Sequence, residues 1–407
     1  MAAVHRVPEL VDDAVEEVLI RCLPDDPARL HRAALVCKRW RRLVSSPAFR
    51  RRYTERHHRA FHHPLGFVCN FTTAVSSSFS GDDNGGADDH TAHFVPSPLS
   101  SFHLPAAAAA AGHRKMRALD ARYGRVLLHD MDVDPISLDK MRLVVWNPIT
   151  GEHRDLPRLP LVAYYSYYSP SCWNAAVLCA AAGDGGCDHV SCHRGHFRVV
   201  VVGVNRRHNY AYSCVYSSEP SDTWPWRART TCSMALHPGC RFDPNPSALV
   251  GDALYFVLQT NGDSSKILKY DLATERMSAV NLPPPTGFHS PRIAVLTMDE
   301  GGLGLAIVGQ SSKIYMWSRV NGSDGGTEEW CQSGVIDLEK FLPANALVFD
   351  SPALVGFAGV GVIFIGTKVG NFVVDLKSDQ VRKLDEGTMF YSVFPFSSSF
   401  RFPGPRY

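Results

Sequence analysis

The densest set of reactive side chains is Cys187-Asp188-His189-Val190-Ser191-Cys192-His193-Arg194-Gly195-His196. Two cysteines and three histidines in ten residues could supply the four ligands of a zinc site, and Cys179 lies just upstream. The spacing matches no standard zinc finger, and it fixes neither ligand number nor geometry. The stretch Gly183-Asp184-Gly185-Gly186 beside it reads as a loop tip. The plainer reading is therefore a polar loop between strands, with Cys187, His189, Cys192, His193 and His196 as incidental ligands. No Gly-x-Ser-x-Gly elbow and no phosphate loop ending in Gly-Lys-Ser/Thr occurs. A pair of carboxylates cannot be picked out, because acid and base roles depend on spatial separation. The sequence thus points to no catalytic residue and no cofactor.

Charge is the second chemical signal. Residues 29–59 hold eleven Arg or Lys against one acid, Glu55, while residues 9–26 hold seven acids against Arg21. The formal net charge is only +2, and no aromatic residue interleaves Arg50-Arg51-Arg52, so a nucleic-acid surface is not expected. The basic run reads better as a solvated or acid-facing side of a helix. Nucleic-acid binding through residues 39–59 is kept as an alternative function.

These groups must be carried by secondary structure. Val15, Val18, Leu19 and Cys22 recur at i, i+3, i+4 and i+7, one face of a helix, with Asp13 as its cap and Glu16 completing the pair. Asp26-Pro27 starts a second helix that buries Leu30, Ala33, Ala34, Cys37 and Trp40. Ser46-Pro47 starts a third, Arg-rich one. After residue 114 no helical pattern of twelve residues appears, and short β-branched and aromatic runs take over, at 126–128, 143–146, 199–202, 253–258, 267–270, 314–317, 362–365 and 372–374. A phrase of strand, polar turn and strand recurs in Val145-Trp146-Asn147-Pro148-Ile149-Thr150-Gly151, in Lys269-Tyr270-Asp271-Leu272-Ala273-Thr274 and in Val374-Asp375-Leu376-Lys377-Ser378-Asp379. Looser copies surround Trp317 and Tyr216. Each copy reads as the outer hairpin of a four-stranded propeller blade. Five blades follow, and a sixth would pair residues 65–71 with residues 390–396. Trp146, Trp173, Trp224, Trp226, Trp317 and Trp330 are expected in blade cores. Residues 73–113 are low in complexity and read as a disordered insertion.

The expected architecture is a small all-α domain of three helices at residues 5–58, followed by an all-β, propeller-like domain of about six blades at residues 61–400. No apolar leader and no run approaching eighteen apolar residues is present, so neither export nor a membrane span is expected. The eleven cysteines then read as reduced thiols of the cytoplasm or nucleus, and the sequons at Asn70 and Asn321 as idle.

Residues 8–49 resemble an F-box. The resemblance is carried by Val36-Cys37-Lys38-Arg39-Trp40, by Leu10-Val11-Asp12-Asp13 in place of the family's Leu-Pro-Asp-Glu opening, and by Glu17-Val18-Leu19 and Leu23-Pro24. The remainder is similar to grass F-box proteins with a divergent propeller-like C-terminal domain, through the phrase at Trp146, the run Trp173-Asn174-Ala175-Ala176-Val177-Leu178-Cys179, and Asp375-Leu376-Lys377-Ser378. The resemblance implies a non-catalytic substrate receptor of a Skp/cullin/F-box ubiquitin ligase. It would dock on a Skp-type adaptor, and through it a cullin, by Pro8, Leu10, Val15, Val18, Leu19, Leu23, Val36, Cys37, Trp40 and Leu43. The C-terminal domain would recruit a protein client, with specificity in loops 73–113, 183–196, 219–226, 284–292 and 320–329. Three short helices bury too little surface to stand alone, in keeping with a surplus apolar face that needs a partner. A propeller-fold hydrolase with its site in the central channel is the other alternative.

Overall fold

The computed structural model describes residues 10–21, 27–56, 66–72, 90–96, 113–131, 142–148, 150–159, 172–181, 187, 192, 195–205, 210–220, 225–231, 240–259, 265–283, 292–298, 301–309, 312–321, 328–347, 353–358, 361–376, 378–384 and 389–396.

Four helices come first: α1 (Asp12–Ile20), α2 (Pro27–Val36), α3 (Lys38–Ser45) and α4 (Pro47–Arg56). The sequence reading had α2 and α3 as one. The break falls at Cys37, whose backbone is extended (φ −159°, ψ 164°) and whose sulfur accepts the Trp40 N–H as the cap of α3. Cys37 is accordingly exposed rather than buried. The first helix is capped by Val11 rather than Asp13, with Asp12 and Asp13 in its first turn, where the helix dipole favours negative charge. The four helices share a core of Val15, Leu19, Ile20, Leu30, Val44, Phe49 and Tyr53, with Ala33, Trp40 and Leu43 packed against it.

The β-domain is a ring of six antiparallel sheets. Sheet one holds β1 (Gly66–Thr72), β2 (His90–Pro96) and β3 (His113–Arg114), and sheet two β4 (Met116–Arg122), β5 (Arg125–Asp130), β6 (Leu143–Trp146) and β7 (His153–Asp155). Sheet three holds β8 (Trp173–Cys179), β9 (Phe197–Asn205), β10 (Tyr210–Ser217) and β11 (Trp226–Thr231). Sheet four holds β12 (Arg241–Phe242), β13 (Ala248–Val250), β14 (Ala253–Gln259), β15 (Lys266–Asp271) and β16 (Arg276–Asn281). Sheet five holds β17 (Arg292–Thr297), β18 (Leu303–Val308), β19 (Lys313–Asn321) and β20 (Glu328–Asp337). Sheet six holds β21 (Ala353–Ala358), β22 (Val362–Thr367), β23 (Gly370–Asp375) and β24 (Gln380–Lys383). The last strand, β25 (Met389–Phe396), returns to pair with β1 and completes sheet one, as expected from residues 65–71 and 390–396. The innermost strands close a circle, β25 beside β4, β4 beside β8, β8 beside β12, β13 beside β17, β17 beside β21 and β21 beside β25. Closure covers the inner edges that an open sheet would expose.

The expectation of a disordered insertion at 73–113 is corrected at residues 90–96, which form β2 and, with β3 beginning at the end of the span, the outer half of sheet one; residues 73–89 and 97–112 lie outside the described residues. Alternating Ala92 and Phe94 bury against Trp146 and Phe396, which is the two-residue period that the composition of the surrounding sequence obscured.

The recurring phrase has a physical cause. In the three closest copies a side chain at the end of the third strand accepts the N–H three residues on: Thr150 N–H to Asn147 Oδ1 (3.3 Å), Thr274 N–H to Asp271 Oδ1 (2.7 Å) and Ser378 N–H to Asp375 Oδ1 (3.4 Å). Asn and Asp do this readily, which nucleates the turn into the fourth strand.

The core lies between blades rather than within them. Six apolar clusters each bridge two neighbouring sheets, such as Leu127, Val145, Trp173, Val199 and Val201 between sheets two and three, and Ala294, Ile314, Ile363 and Phe372 between five and six. Strands buried on both faces need no alternation, which explains the run Val199-Val200-Val201-Val202, all buried. Gly203 on β9 lies opposite Tyr212, whose ring occupies the space a Cβ would need, at 2.2 Å.

Candidate functional site: an open apolar face on the helices

Among the described residues, the helical domain carries five large apolar side chains in solvent: Leu10 (59 % exposed), Val11 (67 %), Val18 (56 %), Leu35 (84 %) and Val36 (64 %). Val11 and Val18 are seven residues apart, so they share one side of α1. Leu35 and Val36 end α2, just before the break at Cys37. Arg39 draws these two places together. Its guanidinium donates to Leu10 O (2.5 Å) and to Asp12 Oδ1 (2.5 Å), tying the start of α1 to the start of α3. The Arg39 bond is the largest influence on the Asp12 carboxyl and holds it below the usual carboxylate range.

The charge asymmetry is used internally. Arg42 reaches Asp12 Oδ2 (3.4 Å), and Arg52 reaches Glu16 Oε1 (2.6 Å) and Glu17 Oε2 (3.6 Å). The basic helices thus face the acidic one, as the acid-facing reading of the basic run expected.

The ten residues expected at the adaptor interface divide by burial. Leu10, Val18, Val36 and Cys37 are exposed; Val15 and Leu19 are in the bundle core; Trp40 and Leu43 are half-buried against it. Pro8 and Leu23 lie outside the described residues. Val15 and Leu19 therefore support the face from beneath. Leu35 and Val11 were missed, although both were legible as apolar residues off the buried stripe.

Of the five candidate metal ligands, Cys187 and Cys192 are brought together, at 3.1 Å between sulfurs, with Cys179 3.3 Å from Cys192. His189 and His193 lie outside the described residues. His196 is exposed, its Nδ1 3.3 Å from Ser218 O, and it is not in the thiol group.

Towards the centre of the ring, buried polar side chains pin blade to blade, and sequence reasoning did not find them. Asn70 on β1 accepts Ala118 N–H (2.7 Å) and donates to Ala118 O (2.8 Å) and Ser392 Oγ (2.8 Å). Asp120, set by a bulge in β4, accepts Val177 N–H (2.8 Å) and an ion pair from Arg122 (3.1 Å). Burial pushes its carboxyl up despite Arg122. Asn174 donates to Asp243 O (3.1 Å), and Trp226 Nε1 to Pro157 O (2.9 Å) nearer the rim. Trp146, Trp173 and Trp226 are buried, Trp317 and Trp330 pack against a cluster, and Trp224 lies outside the described residues. Each of these polar groups is spent on joining blades; nothing in their arrangement pairs a nucleophile with a base.

Known proteins bear on both parts. Residues 16–56 match the F-box-like family. Residues 117–399 match the family described as F-box protein AT5G49610-like, beta-propeller. A search of curated proteins finds no match. Among solved structures the chain is similar to a puromycin hydrolase (13 % identity, TM-score 0.38, 74 % of this chain and 42 % of that one). It is similar to prolyl oligopeptidase B from Galerina marginata (11 %, TM-score 0.36, 78 % and 40 %). It is also similar to the six-bladed Aleuria aurantia lectin (11 %, TM-score 0.35, 82 % and 97 %). The chain spans less than half the length of the first two, and none of the three bears on activity. An F-box-like helical domain precedes a six-bladed ring, and the ring's match covers more than half the sequence: the chain belongs to the F-box protein AT5G49610-like beta-propeller family.

Proposed function

We propose that this chain is the substrate-recognition subunit of a Skp/cullin/F-box ubiquitin ligase, without catalytic activity of its own. The helical face of Leu10, Val11, Val18, Leu35 and Val36 docks on a Skp-type adaptor, which carries the cullin, and the ring recruits a protein client. The observation that carries the reading is the exposure of these five side chains on a domain with only eight buried apolar residues among those described. Burying an aliphatic side chain is worth about 1.5–3 kcal/mol, so two or three of them already separate a stable complex from none. Action in the cytoplasm or nucleus is part of this reading.

The test is a binding titration of the full chain against a purified Skp-type adaptor. A 1:1 complex is expected, and L35D with V36D should weaken it by about 100-fold while the helical signal in circular dichroism is unchanged. An intact chain that does not bind, or a double variant that binds as well as wild type, overturns the proposal. Proximity labelling with and without proteasome inhibition, with a version lacking residues 1–50 as control, then identifies the client.

A further inference from the structure

Among the described residues, the thiols of Cys179, Cys187 and Cys192 form a reactive cluster that adaptor docking does not use, packed with the apolar side chains between sheets three and four. Cys179 ends β8, and Cys187 and Cys192 lie in the connection to β9. Their three sulfurs all fall within 4.8 Å of one another, with Cys179 and Cys192 buried and Cys187 half-buried. Three thiolates around a zinc ion, each at about 2.3 Å, stand roughly 3.8 Å apart, so sulfurs at 3.1 and 3.3 Å need only a small outward shift to admit one.

A buried cation stands beside the thiols. Tyr123 and Gly124, both at positive φ (53° and 75°), form the tight turn that delivers Arg125 to the same end of the ring. The buried Arg125 guanidinium lies over the Phe197 ring (5.0 Å) and donates through Nη2 to Gly195 O, while Gly195 N–H donates to Cys192 O (3.1 Å). Its Nη1 is buried with no hydrogen-bond partner among the described residues. A buried cation with one open donor stands where three thiolates and a dication would leave one negative charge, and the two cancel.

We propose that Cys179, Cys187 and Cys192 form a three-thiolate zinc site, with Arg125 as its charge partner. Binding releases three thiol protons to solvent and leaves a fourth position for water. The ion would fasten the β8–β9 connection to the end of β8 and so fix a loop on the face of the ring where client loops were expected.

The test uses the reduced, metal-free full chain and cobalt(II) as the probe. About one equivalent should bind with thiolate-to-cobalt charge-transfer absorption, and zinc should displace it. C187S, the mildest change because that residue is half-exposed, should weaken uptake by at least about tenfold. C331S, on the exposed edge of β20, should leave uptake unchanged. In parallel, zinc should slow iodoacetamide labelling of Cys179, Cys187 and Cys192 but not of Cys331, which needs no variant to fold. Absence of charge-transfer absorption, unchanged uptake by C187S, or equal labelling rates with and without zinc would each overturn the site.

Discussion

The helical domain and the ring solve the same problem, covering apolar surface, in opposite ways. The ring covers its own. Six clusters fill the six junctions between sheets, the C-terminal strand seals the circle, and buried side chains such as Asn70 and Asp120 satisfy backbone groups across junctions. The helices do not. Their charges are consumed internally by Arg39, Arg42 and Arg52, yet five large apolar residues stay in water. A small bundle cannot enclose both faces of its helices, so one face is left for another polypeptide. The contrast teaches that exposure of apolar groups carries meaning here because the rest of the chain buries them so thoroughly.

The sharpest way to break this contrast is at the ring. N70A removes the partner of Ala118 N–H, Ala118 O and Ser392 Oγ at once, all buried. The ring should lose about 3 kcal/mol, read as a lower denaturant midpoint of its β signal, with adaptor affinity unchanged. A loss below about 1 kcal/mol would mean that the junction is not pinned by this side chain.

Adaptor should act on the other region alone. At a concentration about 100-fold above Kd it should stabilise the helices by about 2.7 kcal/mol, seen as hydrogen exchange slowed by about 100-fold in α1 to α4. Ring amides should not respond. Protection spread evenly over both regions would contradict two separate modes of burial.

A pH dependence belongs to the ring. Burial pushes the Asp243 carboxyl up to about 6, against an ordinary value of 3.8. Between these pH values the folded chain holds the proton more tightly than the unfolded one, so this group's contribution to stability falls as pH rises from about 4 to 6 and is flat above. D243N should remove a slope amounting to roughly 2 kcal/mol, measured as the difference in unfolding free energy between variant and wild type across that window. His113, beside Trp146 at 4.2 Å, runs the other way. Burial lowers it to about 4, so its contribution is lost as pH falls from 6.5 through that value.

The smallest effect is expected at the helix surface. R52A breaks the exposed pairs with Glu16 and Glu17 and should cost about 0.5 kcal/mol or less in helix stability, shrinking further in salt. A larger loss would show that charge, rather than the small core, holds the bundle.

Much of this was legible in the chain itself. Helical spacing marked Val15, Leu19, Leu30 and Trp40, and the Asn or Asp followed three residues later by Thr or Ser marked the outer hairpins, because both patterns are set by bonds within a few residues. Other features were not legible. Cys37 keeps the apolar stripe in register while its backbone leaves the helix, so periodicity passed straight over the break. The strand at residues 90–96 was hidden by the low-complexity sequence on either side of it.

By itself the sequence determined that short helices precede a repeated four-stranded unit, since propensity, caps and turns act locally. Only the tertiary structure decided which strands meet at each junction, that Asn70 and Asp120 bridge blades, and that three cysteines as far apart as Cys179 and Cys192 meet at one point. Those outcomes depend on which distant segments share a junction, and no local pattern encodes the distance between residues that meet only after the ring has closed.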